Sequence, residues 1–142
     1  MTISKNSKLP ISQSDREKLL YYINNIESKR NDSETWKGEL SGKLKSANII
    51  SDSNFSRDVS RLFSTVIIRD TIARINFEYR LLPPDEAESN SYGISVLSPF
   101  GFALLGRKEG SSFTWQFNKK KKYFLIMEVR NSFSEGHAKQ LK

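Results

Sequence analysis

The polar and apolar positions of this chain change rhythm near residue 62. Before it, from Pro10 to about Ala47, apolar residues recur at helical spacing. In "SQSDREKLLYYINNIESK", Leu19, Tyr22, Ile23 and Ile26 share one face, while Lys18, Asn24, Asn25 and Lys29 fall on the other. Ser14 followed by Glu17 is a capping-box pattern just ahead of that face. "RNDSE" reads as a turn with Asp32 or Ser33 as the next N-cap, and Trp36, Leu40 and Leu44 follow at a spacing of four. Two short amphipathic helices joined by a tight turn predict an antiparallel helical hairpin over residues 11–48. Gly38 and Gly42 each weaken the second helix by roughly 1 kcal/mol against Ala. They mark either a frayed helix held only by packing or a face that the first helix approaches closely.

"NIISDSNFSRDVSR" is polar and rich in Ser and Asp, so residues 49–61 read as a connector without an element of its own. From Leu62 onward the period is that of strands. "FSTVIIRD" and "RINFEYRLL" are alternating or β-branched, with a turn at Asp70-Thr71. "PPDEAESNSYG" is a long turn region. The strand "ISVL" runs into a short helix, with Ser98 as N-cap, Pro99 at the first helical position and Gly106 as the stop. "SFTWQFN" then puts Phe113, Trp115 and Phe117 on one face. Lys119–Lys122 interrupt, and "YFLIMEV" is the last strand. Five strands in one curved antiparallel sheet need a cover for the concave face. The greasy helix, with Phe100, Ala103, Leu104 and Leu105, is expected to be that plug. The expected chain is α+β: an arm (1–10), the hairpin, the connector, a sheet domain (62–131) and a polar tail (132–142).

Charge sharpens the choice of partner. Lys and Arg number 23 against 16 Asp and Glu, a net charge of +7. That excess suits nucleic acid, a membrane surface or an acidic protein patch, although it is spread over both halves. Lys119, Lys120, Lys121 and Lys122 sit between aromatic strand ends. They form either a solvated hairpin loop or a site for a polyanion or acidic partner. The chain has no cysteine, and its one histidine, His137, lies in the polar tail. No stretch nears about 18 apolar residues and no secretory h-region is visible, so the expectation is a cytoplasmic protein without membrane contact. A Gly-rich phosphate loop, a nucleophile paired with His and a metal-ligand cluster are all missing from the sequence. It is therefore read as a non-enzyme without cofactor or small-molecule substrate.

"GISVLSPFGFALLGRKEGSSFTW" resembles the C-terminal domain of the Gre transcript-cleavage factors of bacterial RNA polymerase. In that family a strand ends I-S-x-x-S-P, a short helix ends A-L-L-G, and K-x-G-D leads into the next strand. "LLPPDEAESNSYG" resembles the acidic turn before it. "ELSGKLKSANIISDSNFSRDVSRLFSTVIIRD" is similar to the short-hairpin regulator of nucleoside diphosphate kinase branch. The resemblance implies an FKBP-like half-barrel of antiparallel strands around one short helix. It also implies docking on the rim of the polymerase secondary channel through Leu97, Ser98, Pro99 and Phe100. Leu97 stands where cleavage factors often carry a polar residue. The tip acids of Gre factors help hold a Mg²⁺ ion at the polymerase active site. Here the tip is Asp32, Ser33 and Glu34, whose acids suit a helix N-terminus equally well. A first helix of about 15 residues spans roughly 22 Å, far less than the Gre finger. The resemblance thus implies a regulator that competes with cleavage factors without stimulating cleavage; a basic nucleic-acid-binding module is the alternative. The FKBP shape is also that of prolyl isomerases, but Phe100, Phe102 and Leu105 are expected to fill the pocket those enzymes keep open.

Overall fold

The computed structural model describes residues 9–25 and 33–131, with side chains from residue 40 onward in the second stretch. The N-terminal part runs β1 (Pro10–Ser12), α1 (Gln13–Asn25), α2 (Ser33–Ser46) and β2 (Asn48–Ile50). The two strands pair in parallel, with Ile11 opposite Ile49. Parallel neighbours need a crossover connection, and the two helices are that crossover. Leu19, Ile23, Leu40 and Leu44 are buried, while Lys18, Asn24 and Asn25 are exposed, as the helical period requires. Ile26, Lys29, the side chain of Trp36 and the surroundings of Gly38 lie outside the described residues.

Two local expectations are corrected here, and one open alternative is narrowed. Residues 49–61 are not a bare connector: β2 and a 3₁₀ turn (Asp52–Asn54) lie at its start. The pairing that makes a strand of "NII" comes from residues 38 positions away, which no local pattern reveals. The cap of α1 is Ser12 rather than Ser14. Ser12 Oγ accepts the Asp15 amide at 3.1 Å, because β1 delivers the chain to the helix at that residue. Finally, a Cβ on Gly42 would meet no atom within 4 Å, so no close approach occurs there.

The second part is a five-stranded sheet of β3 (Ser64–Asp70), β4 (Ile75–Leu82), β5 (Gly93–Ser95), β6 (Ser112–Phe117) and β7 (Lys120–Asn131). A one-turn helix, α3 (Pro84–Ala87), lies inside the acidic turn region, and α4 (Pro99–Leu104) follows β5. The strand order is β5-β4-β3-β7-β6. β3 pairs antiparallel with β4 and β7, and β6 with β7. β5 joins β4 in parallel, so the sheet is mixed where an antiparallel one was expected. The ten-residue crossover holding α3 permits this, and "GIS" alone carries no sign of its direction.

The plug forms as the sequence predicts. Ser98 Oγ accepts the Gly101 amide at 3.1 Å and donates to the Ser95 carbonyl at 2.7 Å. Gly101 is required at this point, since a Cβ there would stand 1.9 Å from the Ser95 oxygen. Gly106, at φ +78°, ends the run in a conformation that favours glycine. Phe102, Ala103, Leu104 and Leu105 are buried, and Phe102, Leu104 and Leu105 share one core with Ile11, Leu19, Leu40, Leu44, Leu62, Val66 and Ile126.

The lysine run does not interrupt the strands. Only Asn118 and Lys119, at φ 51° and 67°, form the turn. Two left-handed residues in a two-residue loop match the twist of the flanking strands. Lys120, Lys121 and Lys122 already belong to β7, opposite Phe117, Gln116 and Trp115.

Candidate functional site

The predicted docking quartet is split by burial. Leu97 is 7% exposed and belongs to the core; Ser98 and Phe100 are half-buried and Pro99 is exposed. The Pro99 ring is thus presented on the surface by a cap that uses both hydrogen-bonding capacities of Ser98. Beside it opens a cleft of about 190 Å³ lined by Leu40, Lys43, Leu97, Ser98, Pro99 and Trp115, among others. Helix α2 supplies one wall and the Ser98-Pro99 edge the other.

Two cations mark this side of the molecule. Lys43 Nζ stands 4.6 Å from the Phe102 ring centroid. Burial, and then the neighbouring Arg107, pull its pKa below the ordinary lysine value. Arg107 stacks 4.5 Å from the Phe113 ring and donates from Nε to the Ala103 carbonyl at 2.7 Å. An apolar cleft with a partly desolvated ammonium at its wall is suited to a partner surface that brings a carboxylate.

The helices are set against the sheet by a buried polar cluster that the sequence reading missed. The Arg61 guanidinium lies 3.1 Å from Asp52 and 3.5 Å from Asp15, and donates to Ser12 Oγ at 3.0 Å. Ser14 gives its amide and hydroxyl to Asp52. Asp15 accepts the Leu62 amide at 2.8 Å. Burial pushes the Asp15 carboxyl up, against the pull of the Leu62 amide and Arg61. The Ser14 hydrogen bonds hold Asp52 below the usual carboxylate range. One sequence signal was available: Asp15 precedes Leu19 and Ile23 by four and eight residues, which places a carboxylate on the apolar stripe.

Of the predicted tip, Ser33 opens α2 and Glu34 is its second residue; Asp32 and both of those side chains lie outside the described residues. Among the described residues no group of His, Cys, Asp and Glu could hold a metal ion. None of their helices is long and apolar enough to cross a membrane. The three residues expected to fill an isomerase-like pocket differ in burial. Phe102 and Leu105 are buried, but Phe100 is half-buried and walls an open aromatic cleft of about 270 Å³ beside Lys122.

Comparison with known proteins places this architecture. The family model described as "Transcription elongation factor, GreA/GreB, C-term" matches residues 56–131, the sheet, the plug and the Ser98-Pro99 edge. The chain is 34% identical over 93 residues to transcription elongation factor GreA of Syntrophobacter fumaroxidans, covering 66% of this chain and 60% of that one. It is 33% identical over 92 residues to the GreA of Azorhizobium caulinodans, covering 65% and 59%. It therefore spans about three fifths of the length of these relatives. The solved structure of a prokaryotic transcription elongation factor GreA/GreB from Nitrosomonas europaea superposes with a TM-score of 0.70 at 25% identity, over 87% of this chain and 98% of that one. With more than half of its residues in the matched domain, this chain belongs to the GreA/GreB family of transcription elongation factors.

Proposed function

We propose that the protein is a cytoplasmic regulator that binds bacterial RNA polymerase at the rim of the secondary channel. In this reading residues 62–131 form an FKBP-like docking domain, and α1 and α2 form an antiparallel hairpin that enters the channel mouth. The carrying observation is the exposed Pro99, held out by the Ser98 cap beside a cleft walled by Leu40 and Lys43. The geometry gives a partner both an apolar contact and a cation to meet.

The protein competes with cleavage factors and does not itself stimulate transcript cleavage. Helix α2 has 14 residues, about 21 Å of helix, which supports occupancy of the channel mouth rather than delivery of tip acids to the catalytic metal. The test is displacement of a fluorescent Gre factor from purified polymerase. Pro99→Glu is the informative variant, because it alters the exposed ring and leaves the Ser98 cap intact. Displacement by the wild type that Pro99→Glu weakens at least tenfold supports the reading. Equal displacement by both, or none by either, overturns it. Cleavage of backtracked transcripts that Asp32→Ala/Glu34→Ala abolishes would overturn the non-cleaving part alone.

A further inference from the structure

The plug is shorter than the sheet it covers. Six residues of α4 span about 9 Å, whereas the seven residues of β3 span about 23 Å. Exposure along β6 records where the cover ends: Phe113 is buried, Trp115 half-buried and Phe117 57% exposed. At that end Phe77, Tyr79, Phe100, Trp115, Phe117 and Phe124 wall the cleft of about 270 Å³. Phe77 and Tyr79 are stacked at 6.4 Å, and Phe100 meets Trp115 edge-on at 5.2 Å.

The lysine run lies along the same end. Lys120 is the cross-strand partner of Phe117, and Lys122 that of Trp115, so both lysines share the aromatic face. Lys122 is engaged by Asp70 at 3.5 Å. Among the described residues Lys119, Lys120 and Lys121 enter no ion pair. Asp70 fixes one carboxylate oxygen on the Ile72 and Ala73 amides, while the other faces Lys122 in the cleft lining. An acceptor and flat aromatic walls thus meet in one concavity, and Lys120, without an ion pair, stands across the strand from its outermost aromatic, Phe117.

We propose that this cleft binds single-stranded nucleic acid, seating an unstacked base against Trp115 and Phe117 while Lys119 and Lys120 meet the flanking phosphates. Stacking on an aromatic wall is open to any base, and the cations follow a backbone that repeats its charge. A duplex keeps its bases stacked on one another and cannot fill the cleft. A peptide could use the aromatic walls, but it would bring no matching anion for the lysines unless it were acidic.

The test is a fluorescence-anisotropy titration of the full chain with a labelled single-stranded RNA dodecamer at low salt, beside the matching duplex. A mononucleotide and an acidic proline-containing peptide serve as competitors. The expected result is single-strand binding at least tenfold tighter than duplex binding. Phe117→Ser, at an exposed position, should weaken it roughly tenfold, the loss of one stacked base. Lys119→Gln/Lys120→Gln should weaken it and lower the salt slope by about 1.4, the value for two released single-strand phosphates. A mononucleotide that competes at equal concentration would assign the cleft to free nucleotides and overturn the proposal. So would displacement by the peptide at lower concentration than by unlabelled RNA, or the absence of RNA binding. Binding that Phe117→Ser leaves unchanged would reduce the site to a charged patch and also overturn it.

Discussion

At the base of the two helices, Arg61 sits among Ser12, Ser14, Asp15 and Asp52; under the sheet, Leu104 and Leu105 sit among apolar side chains. Both joints are buried, yet they hold by different physics. Apolar burial under the sheet is non-directional and tolerates small shifts. The Arg61 cluster is directional, because its guanidinium meets Ser12, Asp15 and Asp52 at fixed places and the Arg61 and Asp15 charges are out of water. The plug therefore contributes stability to the sheet, and the cluster sets the direction in which the helices leave it.

That contrast can be broken from the polar side first. Arg61→Ala leaves Asp15 buried without its cation and should cost about 3–5 kcal/mol, read from urea unfolding. Adding Asp15→Asn should recover part of the loss, since the stranded charge is the larger penalty. Hydrogen exchange should show α1 and α2 losing protection before β3 and β7. Uniform loss across the chain would mean that the two joints are one cooperative unit. On the apolar side, Leu104→Ala should cost about 2–5 kcal/mol through the cavity it leaves, with protection lost first in the sheet.

Smaller changes sharpen the same comparison. Ser98→Ala removes the cap of α4 and should cost about 1 kcal/mol, whereas Pro99→Glu should change stability by less than about 0.5 kcal/mol. Asp52→Asn should cost only a few tenths of a kcal/mol, as for a partly exposed pair, and its effect depends on pH. The folded Asp52 carboxyl lies below its unfolded value near 3.9. Its contribution is therefore whole above that value and is lost as pH falls through the folded one. The gap between wild type and Asp52→Asn should close on acidification from pH 6 to pH 2. Asp15 runs the other way: its folded carboxyl is raised by burial, so the penalty on its charge is relieved as pH falls.

Much of the fold was legible because local rules and tertiary packing agreed. The stripes Leu19–Ile23 and Leu40–Leu44, the alternation of "STVIIRD", and the Ser98-Pro99…Gly106 punctuation each follow from spacing alone. The same holds for the plug, since one apolar turn and a half after a strand must be covered by something. The cap at Ser12, by contrast, was hidden behind an equally good motif at Ser14. The split of "VLSPF" into a buried Leu97 and an exposed Pro99 was hidden as well, since neighbouring residues of a turn carry no period.

What the chain's own pattern fixes is therefore the inventory: two helices, five strands, one capped plug and an excess of positive charge. The tertiary structure alone decides which pieces meet across long sequence separations. It pairs β1 with β2 through the helices, joins β5 to β4 in parallel, gathers Ser12, Asp15, Asp52 and Arg61 at one joint, and leaves the lysine end of the sheet uncovered. The division has one cause. Periodicity and capping are properties of a few successive residues, whereas pairing, burial of charge and the reach of a cover depend on where the rest of the chain comes to lie.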